Sequence, residues 1–142
     1  MMNSRRVDDL AAEAKFVCLS HIGRCKQEGI ELLITSTWRD SEAQEELWRI
    51  GRSIQPERRT VTNARGGHSW HNFRCAYDVV PLIGGKPVWD AADLIWREVI
   101  IFGKQAGAEA GADLKTFPDR PHFQLRPKLQ DKFISLAEAR ER

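Results

Sequence analysis

The sequence predicts an α+β fold, a small antiparallel sheet flanked by helices. Three observations carry that expectation. Apolar residues recur at helical spacing in several separate segments, short apolar or β-branched runs lie between them, and the order helix, strand, helix, hairpin, helix, strand, helix favours antiparallel pairing.

The elements follow in chain order. From Val7 to Gln27 a stripe of Leu10, Ala14, Val17, Cys18, Ile22 and Cys25 predicts a helix, with His21 as a core or boundary residue near it. The run "ELLITST", Glu31 to Thr37, reads as a strand. Ser41 and Gln44 have capping-box spacing and open a helix that turns Ala43, Leu47 and Ile50 inward and stops near Gly51. Residues 52–67 form a long loop, a length that is usually functional or disordered in a compact domain. "CAYDVVPL" is a strand, and Gly84-Gly85 turns it into a second short strand over Lys86 to Trp89. Asp90 caps a helix bearing Leu94, Ile95, Val99, Phe102 and Ala106, closed by glycines. "PHFQL" is a further strand, and Leu129, Phe133, Leu136 and Ala137 predict a last amphipathic helix over about 127–141.

Length and composition narrow the classes. A chain of 142 residues is of single-domain length, 1–142, and buries a core without staples. No stretch approaches a membrane span, and the arginines near the start are not followed by an apolar region, so no signal peptide is expected. Cys18, Cys25 and Cys75 are too few and odd for a disulfide framework and suggest a reducing compartment. A net charge of +2 does not imply nucleic-acid binding. Arg49, Arg52, Arg58, Arg59 and Arg65 lie close together, as a solvated loop or as a surface attracting an anionic partner. A monomer is expected.

The chemistry concentrates in "GGHSWHNFRCAYDVV", residues 66–80, with His68, His71 and Asp78, and in "FPDRPHFQL", with Asp119 and His122. A lone histidine is more often structural than a ligand. Two histidines and an aspartate nevertheless match a catalytic zinc site, which takes three protein ligands and leaves one position open. A second carboxylate beside the metal then serves as general base. The residues alone leave both readings open, ordinary polar groups or a metal site.

"SWHNFRCAYD" resembles the S-x-H-x-x-G-x-A-x-D signature of the VanY/VanX-like zinc peptidases, the M15 family, and "DRPHFQ" resembles their second motif. The likeness extends from about Thr35 to Leu125 and takes in "STWRDSEAQEELWRIGRS", similar to the family's arginine-bearing turn and Gln-containing helix. The D-x-x-H form and the His-Asn pair are most similar to the L-alanyl-D-glutamate peptidase branch, which includes phage endolysins. The resemblance implies a hedgehog/D,D-peptidase-like fold with a zinc site at the sheet edge. It implies that His71, Asp78 and His122 bind Zn2+, that Asp119 is the base, and that Arg39 steadies the developing oxyanion. Ser69 matches the signature serine and, with Trp38, is expected on the substrate side, Trp38 being equally well a core residue; His68 falls outside the ligand pattern, at the rim. Two features depart from the family: Arg74 stands where the signature has glycine, and "GAEAGADLKTF" lacks tryptophans common around that stretch.

The function so implied is a zinc peptidase that cleaves the L-Ala–D-Glu bond of the peptidoglycan stem peptide. It would be an endolysin made in the host cytoplasm and dependent on a holin to reach the wall. A D-alanyl-D-alanine carboxypeptidase or dipeptidase is the enzymatic alternative, and an inactive wall-binding domain the non-enzymatic one. Cys75 alternates away from Asp78 on its strand and reads as a buried small hydrophobe. Trp48, Trp89 and Trp96 read as packing residues.

Overall fold

A computed structural model of the chain describes residues 1–90, 94–115, 117–130 and 132–141. A single 3-10 turn at Val7–Asp9 leads into α1, Ala12–Gln27. Strand β1 is Glu31–Ser36, α2 is Ser41–Arg49, and a second 3-10 turn spans Trp70–Phe73. Strands β2, Ala76–Ile83, and β3, Lys86–Pro87, form the expected hairpin. Then come α3, Leu94–Ala106, and strands β4, Glu109–Ala110, and β5, His122–Gln124. The pair β6, Lys128–Leu129, and β7, Lys132–Phe133, precedes α4, Leu136–Arg140.

The sheet runs β1-β2-β5-β4, with β3 on the far end of β2, and every pairing is antiparallel. Helices α1 and α3 cover one face. Tyr77, Val79 and Phe123 meet Val17, Cys18, Trp96 and Val99 there in a dry core. Fully burying side chains such as Phe123 and Val99 contributes about 1.5–3 kcal/mol each. Cys18 and Cys25 are free and buried, and burial pushes their thiols up to about 12 and about 11, so they act as small hydrophobes. Cys75 is likewise buried, in a second cluster with Trp70, Ala76, Ile134 and Ala139. No helix among the described residues is long and apolar enough to cross a membrane.

Several local expectations are corrected. Asp40, not Ser41, caps α2, its carboxylate accepting from the Ala43 N–H at 2.8 Å. The helix expected over 127–141 is a hairpin followed by one short helix, because Pro127 and the turn at Gln130 divert the chain. Phe133 is 52% exposed and lies under the cations of Arg126 and Lys128. Leu94 and Trp89 face outward, so neither is a core residue, whereas Trp96 is buried and its indole N–H donates to the Val88 carbonyl. The expected Asp90 cap cannot be followed into α3, because residues 91–93 lie outside the described residues.

The loop over 52–67 has no regular element beyond a bridge between Ile50 and Ile54, yet it is pinned to α2. Trp48 lies between the guanidinium groups of Arg52 and Arg65, 4.3 and 4.2 Å from its ring centre. Arg65 pairs with Glu45, which also accepts from the Gly66 N–H, and these bonds hold the Glu45 carboxyl down at about 2. Arg49, Arg52 and Arg58 have partners too: Glu46, the Trp48 and Thr62 carbonyls, and Gln55. The basic stretch is to that extent a brace.

Candidate metal centre and active-site cleft

Three elements deliver the polar groups. Antiparallel pairing sets Asp78 of β2 directly across from His122 of β5, with both side chains on the face opposite the core. His71 comes from the 3-10 turn. Ser69 caps that turn by accepting from the His71 N–H, and Asn72 returns the bond by accepting from the Ser69 N–H. The Asn72 amide also donates to the Arg39 and Asp40 carbonyls, and the Arg39 N–H donates to the His71 carbonyl at 3.1 Å. Asn72 thus fastens the His71 turn to the segment bearing Arg39. Its signal in the sequence was the Asn directly after His71.

The turn ends on Arg74 with φ 62°, in the left-handed region that favours glycine. This conformation explains the signature glycine. Arg74 offsets the cost, about 1–2 kcal/mol for an L-residue, by stacking 4.1 Å over Trp38 and donating to the Asp9 carbonyl. Trp38 is taken up beneath Arg74, the packing role that the sequence left open beside the substrate-side one.

His71 Nε2, His122 Nδ1 and Asp78 Oδ1 converge, with separations of 3.1, 3.2 and 3.2 Å. His71 Nδ1 donates to the Thr37 carbonyl at 2.7 Å, and His122 Nε2 donates to Gln124 Oε1 at 2.8 Å. With the outer nitrogens as N–H donors, the neutral form of each ring presents its other lone pair inward. Two lone pairs and a carboxylate oxygen facing one another repel unless a cation lies among them. Donors about 2.0 Å from a tetrahedral centre stand about 3.3 Å apart, close to the spacing here. The donor set fits a zinc-type ion.

A proton is the other cation that can relieve this crowding. Burial alone would raise the Asp78 carboxyl, but with the rings protonated the charges and hydrogen bonds of His71 and His122 hold it well below the usual range. Asp78 raises His122 in turn against its own burial. Burial, followed by the Asp78 charge, pushes Asp119 up against the opposing pull of His122, His71 and Arg39. Asp119 lines the same cleft but is not among the three converging donors. It is placed by a tight turn in which its N–H donates to the Gly111 carbonyl and its own carbonyl accepts from the His122 N–H.

The cleft, about 370 Å³, is walled by Thr62, Asn63 and Ala64 of the long loop, by His68 at the rim, and by Ser69, Phe117 and Leu136. Arg39 lies in it, 8% exposed, its Nη2 3.8 Å from Asp78 Oδ2. Nη2 also donates to Ser36 Oγ, which donates onward to Asn3 Oδ1. The Arg39 Nε–H is buried with no partner among the described residues. The sequence singles out His71, Asp78, His122, Asp119 and Arg39, and all five line this cleft. Gln44, Asn72 and Gln124, which orient those groups, went unassigned.

Two family models match the chain, both described as D-alanyl-D-alanine carboxypeptidase: an M15 peptidase model over residues 62–125, and the VanY model over residues 8–86, more than half of the chain. The chain is 35% identical over 108 residues to the peptidoglycan L-alanyl-D-glutamate endopeptidase CwlK of Bacillus subtilis (strain 168). That match takes in 70% of this chain but 64% of CwlK, so the chain spans less than two thirds of that relative. Its fold is similar to that of the Serratia marcescens L-Ala D-Glu endopeptidase ChiX, with TM-score 0.62 at 22% identity over 84% of this chain and 82% of that one. It is also similar to the LD-carboxypeptidase LdcB, with TM-score 0.63 at 20% identity over 81% and 58%. With the signature residues gathered on the open face of the inner β2–β5 pair and a family model matching more than half of the chain, the chain belongs to the VanY-type M15 peptidases.

Proposed function

We propose that the protein is a zinc-dependent peptidoglycan endopeptidase that hydrolyses the L-Ala–D-Glu bond of the stem peptide. The observation that carries the proposal is the convergence of His71, Asp78 and His122, each histidine using its outer nitrogen on a protein acceptor, beside the half-buried Asp119 carboxyl with its raised pKa. The likeness to CwlK supports the choice of bond.

His71, Asp78 and His122 would hold the zinc. When bound, the metal supplies Lewis acidity that makes water a nucleophile at neutral pH. Asp119 takes the proton released as water adds to the scissile carbonyl and delivers it to the amine nitrogen as the C–N bond breaks. Its raised pKa suits both halves of that task. Burial lowers the Arg39 pKa and the Asp78 and Asp119 charges oppose that, so the guanidinium stays cationic. Its unused Nε–H is a donor for the carbonyl oxygen as charge develops there. Ser69 and the 62–64 wall face the substrate. An endolysin role, with synthesis in a host cytoplasm and release to the wall through a holin, is the setting we favour, on the likeness of the D-x-x-H and His-Asn patterns to that branch.

The description of both family models favours a second reading, removal of a terminal D-alanine. Mass spectrometry of digested sacculi separates the two. The endopeptidase exposes a new D-glutamate amine and releases little D-alanine. Free D-alanine without new D-glutamate amines would replace the proposal by the carboxypeptidase.

A further inference from the structure

Gln44 is 1% exposed, and both ends of its amide are engaged. Its Oε1 accepts from Arg39 Nη1 at 2.8 Å. Its Nε2 donates to the Ala64 carbonyl at 2.9 Å and reaches Thr62 Oγ1 at 3.5 Å, and that hydroxyl in turn accepts from the Ala64 N–H. Helix α2 supplies a rigid base for this side chain, because Asp40 caps the helix one residue after Arg39 itself. Arg39 has a second grip through Ser36, but that one ties it only to the sheet and to Asn3. Gln44 is the group that connects the guanidinium to the loop forming the cleft wall.

We infer that Gln44 is a positioning residue. It fixes the guanidinium of Arg39 relative to the 62–64 wall, so that a peptide lying against the wall presents its carbonyl to the guanidinium in register. The amide is specific to the task, since one atom must accept from a cation while the other donates to a carbonyl. Glutamate at this position keeps the acceptor but turns an oxygen toward the Ala64 carbonyl. Methionine fills similar space and does neither. The two substitutions therefore separate the two contacts.

The inference rests on the proposed role of Arg39, so Arg39→Lys is measured beside Gln44→Met and Gln44→Glu on the same stem peptide, with bound zinc and melting temperature. Gln44→Met should retain zinc and lose about 10- to 100-fold in kcat, the scale of one hydrogen bond to a charged group. Gln44→Glu should keep kcat within about threefold and raise KM, because only the wall is released. A folded Gln44→Met enzyme with wild-type kcat overturns the inference. Equal kcat losses in Gln44→Met and Gln44→Glu do so as well, since they mean that Gln44 merely fills space. Should Gln44→Met fail to fold, Gln44→Glu decides alone: a fall in kcat at unchanged KM overturns the inference. If Arg39→Lys keeps full kcat, the reading of Arg39 itself falls and the inference with it. An impaired Arg39→Lys beside an unimpaired Gln44→Met removes only the role of Gln44.

Discussion

On one face of the β2–β5 pair, Tyr77 stacks on Phe123 with ring centres 5.6 Å apart, and the edge of His21 closes over Phe123 at 4.7 Å. On the other face, one residue along each strand, Asp78 and His122 stand across from each other beside His71. Burial does not distinguish the histidines, since His21, His71 and His122 are 0%, 2% and 9% exposed. Their partners do. Both ring nitrogens of His21 are satisfied by protein, Nε2 donating to the Val99 carbonyl and Nδ1 accepting from the Tyr77 hydroxyl. At the other face each ring has one nitrogen satisfied by an outer acceptor, and its second nitrogen faces another acceptor. A histidine is ready to bind a cation when the fold uses up its proton and leaves its lone pair unmatched.

The largest effect should follow from breaking that second arrangement. His122→Ala should lose bound zinc and at least about 10²-fold in activity, more than typically follows from altering a ligand's own partner. His21→Gln should keep the metal and show its defect in stability. Asp119→Ala sharpens the contrast within the cleft: zinc stays, and activity falls by about 10²-fold or more, as expected for a general base. Metal analysis of the purified variants, paired with wall-lysis assays, checks all three. Full zinc occupancy in His122→Ala would undo the ligand assignment.

A smaller effect comes from the core histidine. Burial lowers the His21 pKa to about 4, the bond to the Val99 carbonyl only partly opposing it. In the unfolded chain the imidazole takes up a proton near its ordinary 6.5, whereas in the folded chain it resists until about pH 4. The unfolded state therefore gains relative stability as the pH falls through that window. Stability intact above about pH 6.5 should decline by about 3 kcal/mol on reaching pH 4. Urea unfolding of wild type and His21→Gln at a series of pH values isolates this contribution, because other titrating groups are common to both proteins. The gap between them should shrink toward pH 4, and a constant gap would mean that His21 is not buried as the neutral form.

Much of this was legible in the sequence because the proposed ligands and base lie in short motifs whose local geometry the chain itself dictates. The S-x-H turn, the strand after it, and the D-x-x-H turn each require only near neighbours. What was missed depends on partners far away in sequence. Gln44 has capping-box spacing from Ser41, so it read as a cap, yet its side chain is committed to Arg39 and Ala64. Asn3 bridges to the Arg39 segment, a pairing that no local pattern signals. Leu129 and Phe133 stand four apart, a spacing equally open to a helix face and to a hairpin with one residue on each strand. Trp38 and Arg74 are adjacent only because the His71 turn returns to the end of β1.

The smallest expected effect on activity is that of alanine at Gly103, set against alanine at Gly111 on the other face. A methyl on Gly103 in α3 would come within 2.5 Å of Phe123 Cε1 and 2.8 Å of His21 Cε1, both atoms of packed rings. A methyl on Gly111 would collide with the backbone carbonyl of Asp119 and approach His122 Cβ to 2.8 Å. Alanine in a helix gains up to about 1 kcal/mol over glycine, but overpacking costs about 1–3 kcal/mol, so Gly103→Ala should be mildly destabilising. That strain is taken up by the core face, so zinc content and kcat should stay near wild type. Gly111→Ala costs more stability, since its methyl meets backbone at 2.2 Å, and it displaces the turn that carries the proposed base, Asp119, and one proposed ligand, His122. Displacements of about 1 Å cost about 10²-fold in rate, so its kcat should fall well beyond what its melting temperature suggests. Melting curves and kinetics on the two alanine variants test the comparison. If Gly103→Ala lost activity while Gly111→Ala kept it, the core and catalytic faces of the β2–β5 pair would not be separable as described.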